Sequence, residues 1–345
     1  MVEKMFKISN NTKIYIACPP QHLTGGTELL HQLCYKLKGM NINVAMFYNY
    51  DGANLRNPVA ERLKEYENEF VFEIEDSSNS ILIVPEVLIN ILPQYREIQS
   101  CIWWLGWNHY LLYTELTKYK VLRMIHNYGK AILGLHKVLT FDAIRKNRYC
   151  NLAQCFFVIC QLNKKKIYNA GYLSDYISTG FVDACRRDKS VENTKENIVL
   201  YNPKRNTKFV KQLMKKAPHL EFQAIENMSR DEVVMLMKRA KVYIDFGSHP
   251  GKDRMPREAA LLGCCIITST LGSAGFFNDV PMPIKYKVDR KRRNVKVVIR
   301  KIEECFQNYD KEIVEFRGYV DWILNEEEVF DRDIERLFVT EKKGE

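Results

Sequence analysis

Three stretches of this 345-residue chain hold residue types able to do chemistry on a bound anion or sugar. The richest runs Gly247-Ser248-His249-Pro250-Gly251-Lys252-Asp253-Arg254-Met255-Pro256-Arg257-Glu258 and continues through Ala259-Ala260-Leu261-Leu262 to Gly263. A loop so dense in glycine, proline and cations, closing on a small-residue helix, is hard to explain by packing alone. The second stretch, Tyr201-Asn202-Pro203-Lys204-Arg205-Asn206, sets two cations side by side. Arginine would grip a diphosphate bidentately and lysine would act as a point charge, although solvated surface charges would look the same. In the third, Leu23-Thr24-Gly25-Gly26-Thr27-Glu28, two glycines let a backbone approach a phosphate or sugar, or simply make a tight turn before a helix. A third glycine at dinucleotide-fingerprint spacing is missing.

Such loops need a frame, and the hydrophobic pattern supplies one. Lys13–Cys18 reads as a strand, the spacing of Leu29, Leu30, Leu33 and Leu37 predicts a helix, and Ile42–Phe47 reads as the next strand. Strand, helix and strand in so few residues make a βαβ unit with parallel strands. Further strands are expected at Phe70–Ile74, Ile81–Val84 and Cys101–Leu105. The theme repeats after a polar linker, Arg186–Glu196, with strands at Asn197–Tyr201, Leu220–Ile225, Lys241–Phe246 and Cys265–Thr268. Helices are expected from Thr207 to Ala217, after the capping box Ser229-Arg230-Asp231-Glu232, and near Pro256–Leu262. In open parallel sheets, ligands bind where the carboxyl ends of strands meet helix N-termini, which is where all three stretches fall. The expected domains are 1–190, 191–320, and a terminal helical segment, 321–345.

Composition narrows the class without naming a partner. The apolar fraction of 46% and charged fraction of 27% are those of a folded globular protein, long enough for two domains. A signal peptide and a spanning apolar run are both missing, so a cytosolic location is expected. Ten cysteines set among apolar neighbours, with no Cys-x-x-Cys pair, read as buried free thiols. The formal net charge of +10 favours an anionic partner: nucleic acid, phospholipid or a phosphorylated substrate. Helix-turn-helix, zinc-finger and aromatic RNA-binding signatures are missing, so no nucleic acid is expected. Asp331-Arg332-Asp333 imitates a metal-binding Asp-x-Asp, but it falls in a helical stretch and is discounted; no metal site is expected.

The Gly247–Gly263 segment resembles the donor-binding segment of retaining GT-B glycosyltransferases, especially the large family 4. The resemblance implies an α/β fold of GT-B type, with two Rossmann-like doubly wound domains facing a cleft. Glu258 and the residues after it match the family's second glutamate, which implies that Glu258 binds the ribose hydroxyls of a nucleotide. The family's first glutamate would fall at Pro250, leaving Asp253 or His249 to contact the donor sugar. Gly25 and Gly26 are similar to the family's glycine loop, and Lys204 and Arg205 lie where its diphosphate-binding cations begin the second domain. His109 and His126 flank first-domain strands where retaining members place a histidine against the sugar, although a structural histidine would fit as well. Ile102–Leu105 and Leu173–Ile177 are similar to segments of bacterial transferases of surface-polysaccharide synthesis.

What the resemblance implies is transfer of a sugar from a nucleotide-sugar donor, a substrate rather than a cofactor, to a glycan or lipid-linked acceptor, with retention and without metal. The implied donor-binding residues are Gly25, Gly26, Gly251, Asp253, Arg257 and Glu258. Lys204, Arg205, Arg254 and His126 are the implied catalytic ones, the cations, with Arg257 as a further candidate, stabilising the departing diphosphate. Lys287–Lys301 holds eight cations against one acidic residue, so peripheral binding to an anionic membrane, at its inner face, is also expected. The terminal segment 321–345 is expected to pack back on the first domain. A GT-B sugar-nucleotide epimerase, or a non-catalytic protein binding anionic lipid or nucleic acid, remains an alternative.

Overall fold

The computed structural model describes residues 5–48, 57–114, 139–178, 180–183, 195–205 and 207–339. They form two compact units: residues 1–174 with 329–345, and residues 175–328. The first stretch of the first unit runs to Ser174; the sequence reading places the join between residues 190 and 191.

The first unit is built on a seven-stranded sheet in the order β3-β2-β1-β4-β5-β6-β7, all parallel. Its strands are β1 (Lys13–Ala17), β2 (Val44–Phe47), β3 (Phe70–Val71), β4 (Ser80–Pro85), β5 (Gln99–Trp104), β6 (Cys150–Ala153) and β7 (Ala170–Tyr172). Every residue of β4 is buried, which is why Ser-Ile-Leu-Ile-Val-Pro runs apolar instead of alternating: helices and turns cover both faces. Helix α1 (Gly25–Gly39) is capped reciprocally by Thr24 and Thr27 and buries Leu29, Leu30, Leu33 and Leu37. At about 1.5–3 kcal/mol per buried leucine, that stripe is enough to fix the helix on the sheet. Helices α2 (Trp107–Thr114), α3 (Phe141–Lys146) and α4 (Phe156–Lys164) follow. Buried tryptophans need an acceptor for the indole N–H; Trp104 finds Asn151 Oδ1 at 2.9 Å and Trp103 the Leu173 carbonyl at 3.1 Å.

The second unit holds a four-stranded parallel sheet in the order β11-β10-β8-β9: β8 (Glu196–Tyr201), β9 (Glu221–Ala224), β10 (Ala240–Asp245) and β11 (Cys265–Thr268). Helices α5 (Thr207–Lys216), α6 (Arg230–Arg239) and α7 (Arg254–Leu261) connect the strands, and α8 (Val295–Gln307), α9 (Tyr309–Val314) and α10 (Arg317–Leu324) follow. The capping box opening α6 is present: Ser229 Oγ accepts the Glu232 N–H, and Glu232 Oε2 accepts the Ser229 N–H at 2.6 Å. Helix α8 packs beside α5 and against β10, and α10 packs against α7. From β8 the chain first adds β9 on one side, then returns to place β10 on the other. The reversal opens a crevice between the carboxyl ends of β8 and β10.

The last helix, α11 (Glu326–Phe338), begins in the second unit and ends in the first. Within the first unit Phe330 stacks on Trp103, Phe338 on Phe6, and Asp331 pairs with Lys36 at 3.0 Å. Asp333 Oδ2 accepts the Ser174 N–H at 3.2 Å, so both aspartates of the Asp-x-Asp motif have packing roles. All nine described cysteines are free thiols, and among the described residues no helix is long and apolar enough to cross a membrane.

Candidate functional site

Asp245, the last residue of β10, organises the crevice of the second unit. Its buried carboxylate accepts the Gly247 N–H at 2.8 Å and turns the chain away from the sheet. A side chain at Gly247 would begin 2.7 Å from Arg205 Cδ and 2.9 Å from Asp245 Oδ1, so only glycine lets the two loops close. Arg205 arrives from the loop after β8, donating from Nη1 to Asp253 Oδ2 at 2.7 Å and from Nη2 to Asp253 Oδ1. His249, held at φ +42°, stands between the two carboxylates, with Nδ1 2.6 Å from Asp253 Oδ2 and Nε2 3.2 Å from the Asp245 carbonyl.

Both ring nitrogens of His249 thus face groups that only accept, which favours the doubly protonated imidazolium. Burial opposes that charge, but the bond to Asp253 and the fields of Asp245 and Asp253 outweigh it and raise the pKa above its ordinary value. Burial likewise pushes against ionisation of Asp253, yet His249 and Arg205 hold its carboxyl below the usual range. For Asp245 burial wins and its pKa is raised. Asp245, His249 and Asp253 offer ligand atoms within 4.8 Å of one another, a spacing that suits a metal ion. Arg205 already supplies a positive charge there.

The floor of the loop is closed by two hydroxyls. Ser269 Oγ donates to the Gly247 carbonyl at 3.0 Å and Ser273 Oγ to that of the buried Gly251 at 2.7 Å. Gly272, at φ +59°, passes so close that a Cβ would sit 2.0 Å from the His249 carbonyl oxygen, a contact no side chain could survive.

Helix α7 rises directly from this loop. Asp253 is its N-cap residue, but it makes no capping bond because its carboxylate is turned to Arg205 and His249. The amides of the first turn and the helix dipole are left to act on an anion. Arg254 is the first helical residue, and its Nε lies 3.6 Å from Glu258 Oε1.

Glu258 is the fifth residue of α7 and only 3% exposed. Arg230 Nη1 donates to its Oε2 at 2.7 Å and Arg230 Nη2 lies 2.6 Å from Oε1, while the same guanidinium stacks on Phe181. Burial would raise the pKa of Glu258, but Arg230 and Arg254 keep it below the ordinary glutamate value, so the group is an ionised acceptor. Each carboxylate oxygen retains a lone pair beyond the one Arg230 takes.

Arg257 lies elsewhere in the charge pattern. It is 2% exposed, donating from Nη1 to Glu326 Oε2 at 2.6 Å and from Nη2 to Asp175 Oδ2. Lys252 Nζ reaches the same two carboxylates at 3.0 Å each. Lys204 is exposed, its own N–H bonded to Asn202 Oδ1 at 2.9 Å.

The structure therefore brings Arg205, Gly251, Asp253, Arg254 and Glu258 together at one crevice in the second unit. Gly25 and Gly26 are the first two residues of α1, in the first unit. In that unit His109 Nδ1 lies 3.0 Å from the buried Glu86, whose other oxygen accepts the Leu105 N–H at 2.9 Å. His126 and most of the linker expected at 186–196 lie outside the described residues. Sequence reasoning missed Arg230, Asp245, Asp175 and Glu326 as partners of the site. Asp245 had a signal, a lone carboxylate closing an apolar strand, and Arg230 was hidden inside the capping box.

No protein-family model matches the sequence, and no curated protein is similar to it by sequence. Solved structures are similar to it in fold. One is sucrose-phosphate synthase from Thermosynechococcus elongatus, with a TM-score of 0.62 at 10% identity over 95% of this chain and 98% of that one. Anabaena HepE in complex with UDP-glucose has a TM-score of 0.56 at 11% identity over 94% of this chain and 99% of that one. An alpha-glucosyltransferase in complex with UDP and DNA has a TM-score of 0.54 at 8% identity, over 94% and 99%. At such identities the likeness is one of fold, and the fold is GT-B.

Proposed function

We propose that the chain is a glycosyltransferase that takes a nucleotide-sugar donor at the carboxyl end of its second sheet. The observation carrying this reading is the meeting of Arg205, from the loop after β8, with the Asp245–Glu258 segment at the point where strand order reverses. Crevices of that kind bind nucleotides in open α/β sheets. Support also comes from solved structures sharing the fold that hold UDP-glucose or UDP.

In this reading the first turn of α7, with Arg254, Arg205 and Lys204, faces the diphosphate, and Glu258 accepts hydrogen bonds from the ribose hydroxyls. The chemical step breaks the bond from the anomeric carbon to the phosphate oxygen and forms one from that carbon to an acceptor hydroxyl oxygen. The hydroxyl proton passes to the leaving diphosphate or to water, while negative charge collects on that diphosphate. Fixed cations and helix amides stabilise that charge as it grows; removing one well-placed donor of this type costs about 3–4 kcal/mol of barrier. Asp253 holds Arg205 and His249 in place, and Arg257 serves stability. Transfer with retention, without metal, to a glycan or lipid-linked acceptor in surface-polysaccharide synthesis is the finer proposal, resting on the resemblance of the Gly247–Gly263 segment.

The test is mass spectrometry of reactions containing a panel of nucleotide sugars with and without glycan and lipid-linked acceptors. Release of free nucleoside diphosphate only when an acceptor is present supports transfer. Conversion of one nucleotide sugar into its epimer, or no turnover with any donor, counts against it.

A further inference from the structure

The cations between Lys287 and Lys301 do not form one surface. Lys287 Nζ is buried and bonded to the Val280 carbonyl at 2.7 Å, and Arg290 Nη1 reaches the Phe246 carbonyl at 3.1 Å. Lys291 pairs with Asp289 and Lys301 with Glu304. That leaves Arg292, Arg293, Lys296 and Arg300, all exposed, at the start and along the outer side of α8. The neighbouring helix α5 exposes four more: Lys208, Lys211, Lys215 and Lys216. Neither Thr207–Lys216 nor 290–300 contains an acidic residue, and none of the eight is ion-paired among the described residues.

We propose that the face made by α5 and α8 docks on an anionic lipid bilayer. The two helices, about 15 and 20 Å long, pack side by side, so their exposed cations share one outer face. Charges spaced within about a Debye length of 8 Å act on such a surface together. Val297, 47% exposed, sits among the α8 cations as an apolar contact for the lipid interface. A nucleic acid fits the face less well: among the described residues neither helix exposes an aromatic ring for base stacking. Docking goes beyond the transfer reading and does not depend on it.

The experiment is co-sedimentation of the full chain with sucrose-loaded vesicles of phosphatidylcholine alone or with roughly a third phosphatidylglycerol, at low and at physiological salt. Binding is expected only to the anionic vesicles and should weaken as salt rises. Each cation near such a surface contributes about 1 kcal/mol, or roughly fivefold. The variant K211E/K215E/K296E/R300E should therefore bind more than about a hundredfold more weakly, and its glutamine counterpart should lie between it and the wild type. K146E/R148E/K164E/K166E, which changes net charge equally on the first unit, should bind like wild type. The proposal is overturned by equal binding to neutral vesicles, by no binding at all, or by equal loss in both glutamate variants. It is also overturned if wild type holds a short DNA duplex more tightly than the anionic vesicles and the α5–α8 variant releases it. Unchanged circular dichroism and unchanged nucleotide-sugar turnover on a soluble acceptor keep a docking result separate from the transfer reading.

Discussion

Arg257 and Asp175 lie 82 positions apart and form a buried, bidentate ion pair, with each side chain no more than 5% exposed. Asp175 is the first residue of the second unit and Glu326, the other partner of Arg257, lies near its end. Lys252 touches both carboxylates, so four charges fasten both ends of the second unit's chain to helix α7 and the loop before it.

Removing one member of such a network strands the others without water. Arg257→Met is expected to cost about 3–5 kcal/mol of unfolding free energy, read from urea midpoints. A variant of wild-type stability that has lost nucleotide affinity would place Arg257 at the donor instead.

Glu258→Gln keeps the shape of the side chain while removing its charge. Loss of a charged hydrogen-bond partner is worth about 1.5–3 kcal/mol, so affinity for a nucleoside diphosphate should fall by roughly tenfold or more in isothermal titration. The same substitution should matter little for a 2′,3′-dideoxynucleoside diphosphate, which lacks both hydroxyls. Equal losses for the two ligands would show that Glu258 acts through Arg230 and not through the ribose.

Two histidines give the units opposite responses to pH. His31, 1% exposed, accepts from Asn68 Nδ2 at Nδ1 and donates from Nε2 to Tyr48 at 2.9 Å; burial lowers its pKa to about 4. The unfolded chain binds this proton more readily, so stability is lost as pH falls from about 6.5 towards 4, by about 3 kcal/mol in all. His249 is shifted the other way: its contribution is complete below about 6.5 and is lost as pH rises through the raised folded value. Urea unfolding across pH should show the acid limb flattened in His31→Leu and the alkaline limb flattened in His249→Gln. An unchanged limb in either variant refutes that half.

Turnover should persist in chelator, because Arg205 and Arg254, with the first turn of α7, supply positive charge at the crevice. Activity lost in EDTA and restored by manganese or magnesium would assign Asp245, His249 and Asp253 to a metal instead.

The elements that repeat are legible from the residue order alone. The apolar runs at Ile14–Ile16, Ile81–Val84 and Cys265–Ile267 are buried from both sides wherever they lie, so composition reveals them without knowledge of neighbours. The Ser229–Glu232 cap and the glycine-rich loop before α7 are local for the same reason, since backbone geometry at a turn depends on a few adjacent residues. Strands β6 and β7 escaped detection because Cys-Asn-Leu-Ala and Ala-Gly-Tyr carry little strand propensity; hydrogen bonding to β5 and then to each other makes them strands. How the charges divide depends on which distant segments pack together. Glu258 meets Arg230 from 28 positions away, and Arg257 meets Asp175 rather than the crevice beside it. A guanidinium is recognised in sequence only as a cation; whether it is spent on a buried carboxylate or kept for an incoming phosphate depends on which chain segments the sheet order carries within about 3 Å of it.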